Sequence, residues 1–425
     1  KFWNYVKNVP DDLNQSNWIL ISKHHLISLK IIEENINNYP FKWCWGISQN
    51  PNITWEFVLA NIEKDWNWGH LAKSKIVTWE IVIDLLDNNK ELYEKLINNN
   101  LFWISMNPNI TIDIVNKYNN IPWNICGLSS NPNINLNIIK KHSYINWNFW
   151  NLSNNLDLDF SFIEKHINNE WNWEIISQNR TVSPEIILRY FYKRWNWEYV
   201  QKYKFVDFDF KKYLHLIIYI PKNHSLWTFI SKNSSIDLNF ITNNNLPWDW
   251  NIGISKNPNL TFDFVIKNLN EKWNWYTIAS HKIITWEIIK DCIDNRGILY
   301  DKLIYNKMYS ISINPNINWE IINNNKNIDW NWDGISSNPN IDINIIKNNI
   351  NNKWNWECIC DRHAIDWDII NNNKNNNWNF WRLTSSNRIN ISNIFENVNH
   401  DWNWPYVIKN KFDKNEIICI KYNFL

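Results

Sequence analysis

Cys358, Cys360 and His363 stand closest together among the side chains that could hold a metal, in the run Cys358-Ile359-Cys360-Asp361-Arg362-His363. A structural zinc site wants four ligands, commonly with about two to four residues between its cysteines. This run offers three ligands at most, and its cysteines fall where other segments carry apolar residues or Ser. No metal is expected there. The remaining cysteines, Cys44, Cys126, Cys292 and Cys419, lie far apart, without the framework of a disulfide-stapled domain, which reads as a reducing compartment. The ten His pair with no nucleophile by spacing. Phosphate loops, Gly-x-Ser-x-Gly, His-Glu-x-x-His and calcium-loop patterns are missing, and six Gly in 425 residues leave little material for them. No catalytic, cofactor-binding or metal-binding residue is assigned, no cofactor is expected, and the chain reads as a non-enzyme.

Charge gives little away either. Lys and Arg number 43 against 42 Asp and Glu, a net charge of +1, and no block of like charge is present. A protein that holds a nucleic-acid duplex through phosphates would carry a basic excess, so nucleic acid is the less favoured partner. The longest apolar runs, such as Leu216 to Ile220, are too short to span a bilayer, and Lys1 to Pro10 lacks the regions of a signal peptide. A protein of the cytoplasm with no membrane contact is expected.

What remains unexplained is Trp. There are 32, while about a fifth of the residues are Asn. Trp-Asn-Trp occurs at Trp66 to Trp68, Trp171 to Trp173, Trp195 to Trp197, Trp273 to Trp275, Trp330 to Trp332, Trp354 to Trp356 and Trp402 to Trp404, with variants at Trp43-Cys44-Trp45 and elsewhere. A second marker, Ser-x-Asn-Pro, follows at Ser48, Ser105, Ser129, Ser255, Ser312 and Ser336. Phased on both, the repeats step by 24 residues, with one step of 33 in each half where Leu92 to Ile97 answers Leu299 to Ile304. Every phase point of the first half maps onto the second by a shift of 207, so a seven-repeat unit has been duplicated whole. The expected divisions are degenerate repeats over 1–41, the first seven-repeat unit over 42–218, a degenerate linking repeat over 219–248 and the second unit over 249–425. The weakest stretch, from about Lys204 to Ser225, is the natural joint.

Each repeat reads as two short helices. In the repeat from Trp66 to Asn89, Trp-Asn-Trp opens an apolar segment ending near Ala72, and Thr78 stands as N-cap of a second segment whose Ile81, Val82, Leu85 and Leu86 recur at helical spacing. Thr54, Thr285, Asn318 and Asp366 take the same cap position elsewhere, and the Asn-Pro turn separates the two helices. Neither helix is long enough to stand alone in water, so stacking must stabilise both. The fold class is an all-α solenoid, a superhelix of about sixteen two-helix repeats.

Two residues apart on a helix do not share a face. One Trp of each pair is therefore expected in the core and the other against the next repeat, with the Asn between them as a helix cap. Trp66, Trp68, Trp171, Trp173, Trp195, Trp197, Trp273, Trp275, Trp330, Trp332, Trp354, Trp356, Trp402 and Trp404 are accordingly read as structural. Binding residues belong at positions that vary from repeat to repeat. The position Pro fills in the marker is Lys75, Arg180, Lys204, Lys282, His363 and Lys411 in other repeats, a candidate basic ridge.

The segment Ile47 to Val58 resembles the 24-residue leucine-rich variant repeat, in which an Asn-Pro turn joins an α-helix to a 3₁₀-helix, although this chain carries Trp where that family has small or aliphatic residues and lacks the Pro after Thr. Over nearly its whole length the chain is similar to the tryptophan-repeat proteins of entomopoxviruses and other large DNA viruses. That resemblance implies a viral origin and brings no activity with it. The functional expectation is a non-catalytic scaffold for protein–protein interaction, such as a viral adaptor engaging a host protein in the cytoplasm. The alternatives are a structural component of a virus particle or inclusion, and a single-strand nucleic-acid binder using a Trp and Asn surface.

Overall fold

The computed structural model describes residues 2–6, 15–97, 101–155, 158–362, 365–386 and 389–411. Among the described residues the regular structure is helical, with no strand, and short helices follow one another in tandem as an all-α repeat solenoid. Two compact units divide the chain. One takes Lys1–Val200 with Phe395–Val398 and Trp404–Leu425, the other Gln201–Ile394 with Asn399–Asn403. Within the first unit, helix Trp404–Tyr406 and its π-helical continuation Val407–Lys411 lie against helix Gln15–Ser22.

The caps fall where the sequence puts them. Asn67 accepts the His70 amide at 3.0 Å and opens the first helix, Trp68–Ala72. Thr78 accepts the Ile81 amide at 3.4 Å and opens the second, Trp79–Asn88. Asn124, Asn172 and Asn331 cap first helices, and Thr54, Thr285 and Asn318 cap second helices, in the same way. Asp366 stands at the N-cap position of Trp367–Asn372. Most first helices are α-helical, and the 3₁₀ form that the leucine-rich variant resemblance implies occurs at Ile47–Gln49 and Ile254–Lys256. The longer step is an inserted helix, Lys90–Ile97 in one half and Ile298–Leu303 in the other. Single π-helical turns at Val200–Lys204 and Val407–Lys411 repeat the same shift of 207.

The two Trp of a repeat have different work. The first is buried, as at Trp66, Trp171, Trp195, Trp273, Trp330, Trp354 and Trp402. Its indole N–H donates to the carbonyl at the end of the preceding second helix: Trp66 to Asn61 at 2.8 Å, Trp273 to Asn268 at 2.7 Å, Trp330 to Asn325 at 3.0 Å. A phenyl ring would fill the space and leave that carbonyl without a donor. The second Trp is buried at Trp173 and half-buried at Trp68, Trp197, Trp275, Trp332, Trp356 and Trp404. Trp173 and Trp332 meet the first Trp of the next repeat, with ring centroids 5.1 Å apart for Trp173 and Trp195 and 5.2 Å apart for Trp332 and Trp354.

Polar side chains then tie each repeat to its neighbour. The Ser of the marker accepts the amide of the next repeat's capping residue: Ser48 from Asn67 at 3.0 Å, Ser129 from Asn148 at 2.9 Å, Ser336 from Asn355 at 2.8 Å. Ala72 and Ala279 replace this Ser ahead of the inserted helices. In the second half the amide it would have served, that of Lys307, bonds instead to the Ile304 carbonyl at the end of the insert, at 2.9 Å. Cys360 fills the Ser position and meets the Asn379 amide, and burial pushes its thiol up to about 11.

The marker's Asn reaches further. Asn338 is buried, and its carboxamide donates to the carbonyls of Ser312, Asn314 and Ile317 in the preceding repeat at 2.7, 3.1 and 2.9 Å, while its oxygen accepts the Asn340 amide at 2.8 Å. Asn107, Asn131, Asn257 and Asn314 make the same three-carbonyl contact. The Asn two residues on adds two more bonds: Asn316, for example, donates to Lys282 and Ile284 at 2.7 and 2.9 Å. His281 stands in for the marker Asn, its Nδ1 accepting the Ile283 amide at 3.3 Å.

Asn338→Ala strips buried carbonyls of their donor and is expected to lower stability by about 1–3 kcal/mol, whereas Asn327→Ala at an exposed site stays within about 0.5 kcal/mol. Urea unfolding of both variants checks this. For His281, burial first and Lys282 second depress the folded pKa, so folding favours the neutral ring. Its contribution is full above the unfolded value of about 6.5 and is lost as pH falls below it. Stability is therefore expected to drop between about pH 7 and pH 5, less steeply in His281→Asn, as read from melting temperature against pH.

Candidate interaction surface

These first helices are each anchored by one fully buried aliphatic residue: Ile47, Leu71, Ile104, Leu128, Leu152, Ile176 and Val200 in the first unit, Ile254, Ile278, Ile311, Ile335, Ile359 and Leu383 in the second. The residue two places before the anchor is turned away from it by the helical step. In the first unit this column reads Trp45, Gly69, Phe102, Cys126, Trp150, Glu174 and Glu198, and in the second Ile252, Tyr276, Tyr309, Asp333, Glu357 and Trp381. Trp45 is 57% exposed, Trp150 55%, Tyr276 57% and Trp381 51%. Most of its side chains are exposed and carry little of the packing, although Gly69 is buried and Asp333 accepts the Asn355 carboxamide at 2.7 Å, so much of its chemistry is free to change.

The column is ordered within each unit. In the first, large rings precede Glu174 and Glu198; in the second, the exposed apolar run Ile252, Tyr276 and Tyr309 precedes Asp333 and Glu357, and exposed Trp381 follows them. Cations flank the rings: Lys73 Nζ lies 4.7 Å from the Trp103 ring, Lys302 Nζ 4.9 Å from Trp275 and Lys307 Nζ 5.3 Å from Tyr276. His70 sits between Trp45 and Trp103, with centroids 5.5 and 6.3 Å away, and burial followed by Lys73 lowers its pKa. Arg382 bridges Glu357 at 2.9 Å and Asp361 beside Trp381. Both acidic groups are exposed, so the pair adds little to stability.

The basic ridge expected at the Pro position is distributed differently. Lys75, Arg180 and Lys282 are exposed and Lys204 is half-buried, with its pKa lowered by burial. His363 lies outside the described residues, and Lys411 lies in the π-helical turn with its side chain outside the description. In the first unit Lys75 and Arg180 are separated along the stack by the turns of Pro108 and Pro132, so these two charges are not neighbours. What the scaffold uses at this position is the carbonyl: Lys75 accepts Asn109 at 2.9 Å and Lys282 accepts Asn316 at 2.7 Å. That use is blind to side-chain type, which accounts for the variation seen in the sequence. Among the described residues no three His, Cys, Asp or Glu side chains converge as a metal site, and no helix is long and apolar enough to cross a membrane.

The first-helix column was missed from the sequence because the repeats were phased on their Trp and Ser-x-Asn-Pro markers. Aligning them on the buried aliphatic exposes it, since Ile47 and Ile254 each carry one extra residue between cap and anchor.

No family model, curated protein or solved structure matches this chain.

Replacing exposed members of the column is expected to leave the fold intact: Trp150→Ser and Tyr276→Ser should each shift stability by no more than ~1 kcal/mol. Trp330→Ala, in the buried column, should cost about 3–5 kcal/mol. Denaturant midpoints of the three variants separate the two classes of aromatic.

Proposed function

We propose that this chain is a non-catalytic repeat scaffold that binds a protein partner through the variable column of its first helices. The observation that carries the reading is the contrast within one helix turn, where a fully buried aliphatic stays aliphatic in every repeat while the residue two places before it runs through Trp, Gly, Phe, Cys and Glu. A repeat protein keeps its stacking positions alike and places recognition on positions free of that duty. Large exposed rings beside a few charges are the residue types that anchor protein interfaces. The order of the column, apolar before acidic, suits a partner surface that presents apolar anchors followed by Lys or Arg. Seen with the resemblance to viral tryptophan-repeat proteins, the partner would be a host protein and the chain an adaptor.

Single-strand nucleic acid would also find exposed rings to stack on, but a net charge of +1 and the acidic pair that each column carries work against a phosphate backbone. The test is affinity capture with the full chain, followed by capture with a Trp45→Ala, Trp150→Ala double variant and with Glu174→Lys, Glu198→Lys. A partner retained by the wild type and by Asn327→Ala, and reduced at least tenfold by both column variants, is the expected result. Equal retention by every variant, or retention only of nucleic acid with steep salt dependence, would sink the proposal.

A further inference from the structure

A second feature lies in the first half of the chain. Between the second helices Leu136–Lys141 and Phe160–Lys165 of the first unit lies a cleft of about 880 Å³, open on one side. Its floor is Trp147, Phe149 and Phe162, and its rim carries Lys140, Lys165 and His166. The volume is within the range of small-molecule sites, about 300–1,000 Å³, and the lining has their usual make-up of aromatic surface with a few convergent polar groups.

The charges are available. Neither Lys140 nor Lys165 pairs with a carboxylate among the described residues, and both are exposed. Asp159, the acidic group that feels Lys140, already accepts the Ser161 amide at 3.0 Å. The His166 ring lies against Phe162 and Phe149, with centroids 4.5 and 5.5 Å apart, so it is held at the edge of the aromatic floor.

The internal duplication supplies a control. Shifting by 207 keeps the scaffold residues, since Ile139, Lys140 and Trp147 become Ile346, Lys347 and Trp354. The residues that give the cleft its character change: Ser161 becomes Asp368, Lys165 becomes Asn372, His166 becomes Asn373 and Tyr144 becomes Asn351. The second half thus holds the same helices and caps with an acid added and two potential cations removed. Scaffold requirements are equal in the two halves, so they do not account for a lysine and a histidine beside an aromatic floor in one of them.

We infer that this cleft binds an aromatic phosphomonoester, its ring lying against Phe149 and Phe162 and its phosphate between Lys140 and Lys165. Two cations on separate helices suit a dianion better than a single carboxylate, and a half-enclosed cleft concentrates their field. The ring adds what the lysines lack, an apolar contact that free phosphate does not make.

Calorimetric titration of the full chain with phenyl phosphate, inorganic phosphate and phenol tests the two halves of the ligand. Uridine monophosphate and phosphotyrosine as further probes separate a nucleotide source from a modified amino acid, and tighter binding of either supports the site. The expected result is one phenyl phosphate per chain, bound at least tenfold more tightly than inorganic phosphate or phenol. Lys165→Asn with His166→Asn installs the residues the second half carries at these places and should weaken binding at least tenfold with an unchanged melting temperature; Ser161→Asp should act in the same direction. Inorganic phosphate binding as tightly as phenyl phosphate would overturn the inference. So would two equivalent sites per chain, an unaffected double variant, or no binding at millimolar concentration.

Discussion

Helices of four to six residues consist almost wholly of ends. An α-helix leaves about four amides and four carbonyls without intrahelical partners at its two termini, so a segment such as Trp173–Ile176 or Phe380–Leu383 can satisfy hardly any of its own backbone. Everything else in this fold answers that shortage. Asn and Thr side chains take the leading amides, the indole N–H of a buried Trp takes a trailing carbonyl, and in repeats with the full marker the carboxamides of two Asn take carbonyls of the repeat before. Burial of aliphatic anchors supplies the driving force, and without these polar links it would carry unpaired backbone groups into the core at a loss.

The links also explain the regularity of the chain. Ser48 meets Asn67 and Ser336 meets Asn355 across the same sequence interval because both partners are fixed to helix ends. An insertion between them would pull donor from acceptor. The inserted helices after Asn88 and Asn295 are tolerated where the Ser has become Ala and, in the second half, where the insert itself provides a carbonyl for the Lys307 amide. The Asn contacts survive the insertion, since Asn107 and Asn314 still reach Ala72 and Ala279 at 2.7 Å.

A scaffold held by so many position-specific bonds leaves few columns free, and those are where function can reside. One is the largely exposed column of the first helices, most of whose side chains carry little of the packing. Another is the Pro position, where only a carbonyl is used. The cleft beside Phe149 and Phe162 is a third kind of freedom, opened in one half of a duplication and absent in residue type from the other. Both halves keep the links, while surface residues differ between them.

Helix order and caps were legible in the sequence, because each depends on residues close along the chain: Thr78 with Ile81, Asn67 with His70, a Pro that stops a helix. The separate fates of the two Trp followed from helical geometry alone. What the sequence did not disclose was the purpose of the Asn. Read locally, Asn338 is a turn residue, and only the stacking of repeats brings it within reach of Ser312, Asn314 and Ile317. The same holds for Cys360, whose Ser-series position becomes a link to the Asn379 amide only when the repeats stack, and for the cleft, which lies between the second helices of successive repeats. Local chemistry sets which short helices form and where they end; the pairing of their leftover backbone groups, and so the surfaces left free, is decided by neighbours that only the tertiary structure supplies.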